Sequence, residues 1–323
     1  MPVLPREGGG AVYQGAQRGP QRGAQRGPQR PARPLCSPAV KYDMGDRRCV
    51  VTGASSGIGK EIARNLAYFG ATVVLACRDR ERGSAALQEI VHDSGNERVT
   101  MLQVDVSSRA SVRMFVRNLT AGGSPVHVLV NNAGVVCHTQ ETTADGFERT
   151  WATNVLGYFM MSAMLLPTLR RSGPARVVNV ASTYAGGLDL DDVQFERRRY
   201  DAMAAYRQSK QADRMLAWRL AEICRGDAIT VHACHPGAVD TALQRPAPTG
   251  WLQRLLGAGR RVGLKSPAEG AVTPTFVAAA PEVGDSTGKL WIDGAAVPCQ
   301  FAAATDGLAA LWRLCAAQSH CDA

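Results

Sequence analysis

What the sequence has little of narrows the reading first. Its 323 residues hold nine cysteines but no C-x-x-C pair and no regular cysteine spacing, which gives neither a zinc ribbon nor a disulfide framework. Cys49, Cys77 and Cys234 fall inside apolar, strand-like runs, where a reduced thiol acts as a small hydrophobe, so a reducing, cytoplasmic setting is expected. No apolar run reaches the ~20 residues that a helix needs to cross a bilayer. The longest, VLGYFMMSAMLLP at 155–167, stops at a proline shortly before Arg170 and Arg171 and reads as a buried helix. Aromatic residues are 6% of the chain, and Tyr13 is the only one in the first 40 residues, which argues against base stacking by a nucleic-acid-binding tail. Those 40 residues also lack lysine. They hold six arginines and one acid, Glu7, a net +5 of the formal +9, so only +4 remains for the other 283 residues. In VHACHPG at 231–237, strand alternation sets His235 opposite His232 and Cys234, and no metal site is expected.

What is present divides the chain in two. GAQRGPQRGAQRGPQRPARP, a four-residue repeat with almost nothing apolar to bury, predicts a disordered extension over residues 1–44. Its many glycines and prolines oppose the amphipathic helix of a targeting presequence. Residues 45–323 then read as one domain. RRCVVTG, ATVVLAC, VTMLQVDV, VHVLVNNAG, ARVVNVAS, ITVHACHPG and GKLWID read as seven strands, and each of the first six precedes a helical stretch long enough for a crossover. Ile58, Ile62, Leu66 and Phe69 show helical spacing in the first of these. Alternation of this kind predicts an α/β, Rossmann-type, doubly wound parallel sheet of seven strands with helices on both faces.

The chemistry concentrates at strand ends. TGASSGIG, Thr52 to Gly59, joins the first strand to the first helix, and glycines at 53, 57 and 59 allow a tight turn, close approach of a phosphate to backbone and close helix–strand packing. A nucleotide is therefore expected there. At the end of the second strand stands LACRDRERG, where a guanidinium at Arg78 suits a ribose 2′-phosphate and a carboxylate at Asp79 would suit free ribose hydroxyls. Arg78 comes first, which favours NADP over NAD. In AAYRQSKQA, Tyr206 and Lys210 are four residues apart on one helical face, and an ammonium beside a phenol stabilises the phenolate and suits it to acid–base work.

TGASSGIG, NNAG at 131–134, Asn154 in ATNVLG, Ser182 in VVNVAS, YRQSK, and HPG at 235–237 together resemble the ordered motif set of the short-chain dehydrogenase/reductases, over about residues 45–300. LACRDRERG, PVHVLVNNAGVV, TADGFERTWATNVLGYF and DLDDVQF are similar to the branch holding the retinol dehydrogenases, the WW-domain oxidoreductase and the X-linked dehydrogenase/reductase. No WW domain is visible, and the Gln-Arg-Gly repeat stands where many retinol dehydrogenases carry a membrane anchor.

The resemblance implies a catalytic set of Asn154, Ser182, Tyr206 and Lys210. Ser182 would steady a carbonyl oxygen, Tyr206 would pass the proton, Lys210 would act on Tyr206 and hold the nicotinamide ribose, and Asn154 would kink its helix around a water relay. It implies cofactor contacts at Gly53, Ser55, Ser56, Gly57, Ile58, Gly59 and Arg78, at Asp105 and Val106 beside the adenine, at Asn132, Ala133 and Gly134, and at Pro236, Gly237, Val239 and Thr241 near the nicotinamide. The expected substrate is a small lipophilic carbonyl or alcohol, retinoid-, steroid- or polyprenoid-like, held by residues 183–203 and 242–265. Trp251, Leu252, Leu255 and Leu256 in that second segment would cover the substrate or touch a membrane surface peripherally. A homodimer is a candidate assembly. The reading from another class is a scaffold that keeps the fold while its arginine-rich tail contacts anionic partners.

Overall fold

The computed structural model describes residues 41–239, 264–303 and 305–321. The expectations for residues 1–40, for Thr241 and for the helix around Trp251, Leu252, Leu255 and Leu256 lie outside these described residues.

The valine-rich runs form strands because both of their faces are covered. β1 (Arg48–Thr52), β2 (Thr72–Cys77), β3 (Val99–Gln103), β4 (Val128–Asn131), β5 (Ala175–Val180), β6 (Ile229–His235) and β7 (Lys289–Ile292) pair in parallel. The sheet order is β3-β2-β1-β4-β5-β6-β7, with one more strand at its edge. That strand, β8 (Ala295–Val297), runs antiparallel to β7 and corrects the expected count of seven. Its cause is local. Asp293 and Gly294 both take positive φ, 48° and 77°, and make the two-residue turn of a tight hairpin between Ile292 and Ala295.

Seven of the helices cover the two faces: α1 (Gly57–Tyr68), α2 (Arg80–Ser94), α3 (Arg109–Thr120), α5 (Gly157–Arg171), α6 (Ala202–Ile223), α7 (Pro267–Ala279) and α8 (Thr305–Ser319), with the single turn α4 (Arg149–Trp151) leading towards α5. On one face Ile62, Leu66 and Phe69 pack with Val51, Leu75 and Val277; on the other Phe115, Trp151, Phe159, Leu165, Met215 and Leu311 pack together. Helix starts are fixed by side chains. Asp79, Ser108, Asp201 and Ser266 each accept a backbone N–H of the first turn of α2, α3, α6 and α7.

The apolar run at 155–167 is a buried helix, as its sequence predicts, but α5 passes through Pro167 and ends at Arg171. Burial of Leu165, Leu166 and Leu169 around the proline holds the helix across the missing N–H. The continuous stretch Arg149–Arg171 is long and apolar enough to cross a membrane by length and composition alone, and 83% of its apolar window is buried inside the fold, as in a core helix.

Strand order reverses between β1 and β4. In open α/β sheets, ligands bind beside such a switch point at the carboxyl ends of the strands. TGASSGIG, NNAG, Ser182 and the HPG turn all follow carboxyl ends of β1, β4, β5 and β6.

Candidate active site

The turn after β1 is built to bring backbone close to a ligand. Gly53 and Gly57 have φ of 67° and 59°, and a Cβ on Gly53 would lie 2.9 Å from Ala133 Cα. At Gly59 a Cβ would run into the Asn132 amide and the Gly53 carbonyl. Thr52 Oγ1 accepts from the N–H groups of Asn132 (2.9 Å) and Ala133 (3.0 Å), and Asn132 Nδ2 donates to the Thr52 carbonyl (2.9 Å), so NNAG is tied to the glycine-rich turn. Ser56 is the N-cap of α1 but its side chain makes no capping bond, and no acid sits in the first turn. Bare backbone, an uncapped helix start and a cradle that a Cβ would fill suit the diphosphate of a dinucleotide. Ser55 and Ile58 are part-buried in the same turn, and Ile58 packs against the core below it.

At the ends of β2 and β3 a pocket of about 510 Å³ is lined by Arg78, Gln103, Asp105, Ser111, Met114 and Phe115. Arg78 is exposed, and its carbonyl accepts from Gln103 Nε2. Asp105 Oδ1 accepts from the N–H and Oγ of Ser107 at 2.9 and 2.6 Å, and the following Val106 is buried against Gly157, where a Cβ would lie 2.9 Å from the Val106 carbonyl. Asp79 caps α2 by accepting from Arg82 N at 2.9 Å. Arg82 is a residue that sequence reasoning passed over. Its guanidinium donates to Ser56 Oγ at 3.3 Å and so stands between the glycine-rich turn and the start of α2. Its place three residues after the N-cap is the signal that could have found it.

Asn154, Tyr206 and Lys210 come together where α6 passes the ends of β4 and β5, and Ser182 stands two residues beyond Val180, whose carbonyl Lys210 meets. Between α4 and α5, Ala152–Leu156 form a π-helical turn that contains Asn154, an interruption of the kind often found at functional sites. Asn154 Oδ1 accepts from Val135 N (2.9 Å), and its Nδ2 donates to the Val135 carbonyl (3.1 Å) and to Ser209 Oγ (3.0 Å). Gly134 approaches the same carboxamide: a Cβ there would lie 3.4 Å from Asn154 Oδ1. Ser182 is buried, and its Oγ accepts from Tyr184 N at 3.0 Å, which leaves the hydroxyl proton to donate. Arg214 donates to the Ser182 carbonyl.

Tyr206 is part-buried, and the Lys210 ammonium lies 5.9 Å from its ring centroid and 5.2 Å from that of Tyr158. Lys210 Nζ donates to the Val180 carbonyl at 3.0 Å and to Asp213 Oδ2 at 2.7 Å. Burial by itself would lower the Lys210 pKa, but the Asp213 carboxylate, with Tyr158 and Tyr206 adding to it, more than offsets this and holds the amine above its ordinary value. Burial raises Asp213, and Lys210 and Arg214 oppose this only in part. Sequence reasoning also passed over Asp213, although its i+3 spacing from Lys210 was legible. A buried polar chain supports the pair from below: Asn179 Nδ2 donates to the Asp213 backbone carbonyl (3.0 Å), and Asn131 Nδ2 reaches Asn179 Oδ1 (2.9 Å) and Ser162 Oγ (3.0 Å).

The HPG turn closes the far side. Pro236 is buried, Gly237 has φ of 92° with the Lys265 side chain against it, and the buried Val239 pairs with Lys265 in a short parallel bridge. Burial pushes His235 down to about 4, and Thr183 N donates to its Nδ1. His232 lies on the other side of the strand, accepting from Trp291 Nε1 at 3.1 Å, and no cluster of three metal-ligating residues exists among the described residues. The acidic–aromatic segment before Tyr206 folds around Asp192, whose carboxylate accepts from the N–H groups of Glu196, Arg197 and Arg198 and from Arg198 Nε. Burial would raise Asp192, but these bonds hold it down at about 2.

A sequence profile described as short chain dehydrogenase matches residues 47–250, most of the domain that carries this geometry. The chain belongs to the short-chain dehydrogenase family. This short-chain dehydrogenase is 43% identical over 269 residues to a polyprenol dehydrogenase of Mus musculus, a match that covers 80% of this chain and 79% of that protein. It is 37% identical over 259 residues to retinol dehydrogenase 13 of Homo sapiens, covering 79% and 78%. Among solved structures it is similar to an uncharacterized protein from Mycobacterium paratuberculosis, with a TM-score of 0.71 and 29% identity over 88% of this chain and 97% of that one. The short-chain dehydrogenase is thus an oxidoreductase that works with a nicotinamide cofactor, and its relatives place it with the retinol dehydrogenase branch.

Proposed function

We propose that the chain interconverts a carbonyl and an alcohol on an apolar, retinoid-, steroid- or polyprenoid-like substrate, with NADP(H) as cofactor and Tyr206 as the acid–base group. The observation that carries the reading is the linked set Asn154, Tyr206 and Lys210, joined through Ser209, Val180 and the π-helical turn, with Ser182 two residues beyond Val180. Gly53, Ser55, Ser56, Gly57, Ile58, Gly59, Asn132, Ala133 and Gly134 would hold the diphosphate and adenosine side, with Asp105 and Val106 at the base. Pro236, Gly237, Val239 and Thr241 would lie along the nicotinamide side. Arg78 favours the 2′-phosphate of NADP over the bare ribose of NAD, the more so because the Asp79 carboxylate is occupied as a helix cap.

When bound, the nicotinamide supplies or accepts the hydride. Ser182 donates its hydroxyl proton to the substrate oxygen and steadies the charge that grows there during reduction. Tyr206 gives that oxygen a proton in reduction and takes one in oxidation. Lys210, buried and held charged, stabilises the phenolate left behind. Asn154 fixes the β4 loop to α6. A scaffold has no physical need for a buried ammonium over a tyrosine ring at a strand end, which favours catalysis over the scaffold reading. The polyprenol and retinol named for the relatives support an apolar substrate.

The test is a turnover panel of retinoid, steroid, polyprenoid and simple carbonyl substrates, each with NADPH and NADH, on the full chain and on Tyr206→Phe. Turnover of an apolar member with preference for NADPH, lost in the variant, is the expected result. Equal turnover in Tyr206→Phe would sink the assignment of the acid.

A further inference from the structure

Beneath the proposed acid the fold buries a carboxylate that the reaction outlined above leaves unused. Asp213 follows Lys210 by three residues on α6 and is fully buried; its Oδ2 accepts from Lys210 Nζ at 2.7 Å while its Oδ1 has no hydrogen-bond partner among the described residues. A one-sided contact of this kind is a poor way to stabilise a fold, because a buried charge pair recovers its desolvation cost only when its remaining lone pairs are also satisfied. The surroundings nevertheless hold it firmly. Asn179 anchors the Asp213 backbone to β5, and Val180 of the same strand takes a second proton of Lys210.

The titratable and charged groups that face the pair come from every packed element. They are Tyr158 on α5, Tyr206 and Arg214 on α6 itself, Cys234 on β6 and Cys315 on α8. Burial raises Tyr158, Cys234 and Cys315, which keeps all three neutral. Arg214 is tied to the Ser182 carbonyl. Among these groups Lys210 is the charge that lies over the Tyr206 ring, and Asp213 is the carboxylate bonded to it.

We propose that Asp213 is a positioning residue, the counter-charge that holds the Lys210 ammonium in place and limits how strongly it acts on Tyr206. The proposal rests on the reading of Tyr206 as the acid–base group. An unpaired ammonium would favour the phenolate more strongly than a paired one does. Whichever of Tyr206 and Lys210 releases it, the first proton lost by the two leaves at lower pH once the neighbouring negative charge is gone. Oxidation of an alcohol needs the phenolate and speeds up as pH rises; reduction needs the phenol and slows. In both directions the limb moves to lower pH.

The experiment compares wild type, Asp213→Asn, which keeps an acceptor for Lys210, and Tyr206→Phe. In the cofactor-free protein, tyrosinate absorbance is followed against pH and the Tyr206→Phe titration is subtracted, which isolates Tyr206 without any turnover. The expected midpoint in Asp213→Asn is lower by about one pH unit or more, and on the rising limb of the oxidation profile the rate at fixed pH is roughly tenfold higher relative to its own plateau. Asp213→Ser carries the same expectation should the asparagine variant fail to fold. An unchanged midpoint in a folded variant overturns the proposal, whatever its stability, and failure of both variants to fold overturns it by assigning Asp213 a purely structural role. Normal turnover by Tyr206→Phe would remove the catalytic reading, while the titration would still report whether Asp213 governs the pair.

Discussion

Replacing Gly59 by alanine sets two magnitudes against each other. Alanine is the better helix former by about 1 kcal/mol in a helix interior, so propensity alone predicts a stabler α1. The site opposes it. The new Cβ would sit 2.5 Å from the Gly53 carbonyl oxygen and run into the Asn132 amide. Asn132 can retreat only by giving up its bond to the Thr52 carbonyl, about 1 kcal/mol, and the backbone at Gly53 can yield only by shifting the turn, an overpacking cost of about 1–3 kcal/mol. The net expectation is a loss of roughly 1–3 kcal/mol, several degrees in Tm for a domain of this size. Because the shift falls on the turn proposed to receive the diphosphate, NADPH affinity should drop more than tenfold. Thermal unfolding and cofactor fluorescence titration measure the two effects separately. Gly95→Ala is the comparison: that glycine caps the far end of α2 at a φ of 67°, where alanine is strained, but has nothing within 4 Å of a Cβ, so it should lose stability and keep NADPH affinity. If Gly59→Ala unfolds and binds NADPH as wild type does, the close approach of NNAG to the turn is not what shapes the site.

Three further outcomes are expected. Tyr206→Phe should keep NADPH binding near wild type by fluorescence titration and lose nearly all turnover, because the ring remains and the hydroxyl does not. Arg78→Ala should weaken NADPH on the order of a hundredfold more than NADH, since paired charge-assisted bonds to a phosphate are worth a few kcal/mol, and equal weakening of both cofactors would remove Arg78 from phosphate reading. Stability should depend on pH through His232. Burial, with Arg176 adding repulsion, lowers it from 6.5 to about 4, so an unfolded chain binds a proton there that the folded chain refuses. That contribution is complete above pH 6.5 and disappears as pH falls towards 4, about 3 kcal/mol in all; denaturant unfolding across this window should show the slope, and His232→Gln should reduce it while leaving the share of His235, which is lowered to about 4 as well.

The parallel strands were legible because each is a valine-rich run with a helix-length interval behind it, and the cradle because its glycines sit at a strand-to-helix junction. β8 was not, because Ala-Ala-Val has little strand preference of its own; the signal was the Asp293-Gly294 pair before it, the most specific two-residue hairpin turn. Pro167 looked like a stop because propensity disfavours it, and packing of the leucines around it overrode that preference. Arg82 and Asp213 stand at legible spacings, three residues after the Asp79 cap and three after Lys210, but what gives those spacings meaning is the contact each side chain makes, with Ser56 on the glycine-rich turn and with the Lys210 ammonium.

Asn131 and Asn179 face each other in the β4–β5 register, joined amide to amide at the centre of the sheet. Their valine neighbours offer no such distinction: Val128, Val130, Val177 and Val178 would pair about as well after a slip along the strand. A slip would strand both carboxamides among apolar side chains and release Asp213 and Ser162 from their partners, so the two asparagines act as a notch that admits a single alignment. The carboxyl ends of β4 and β5, from which NNAG and Ser182 follow, are thereby held level with each other by the sheet itself.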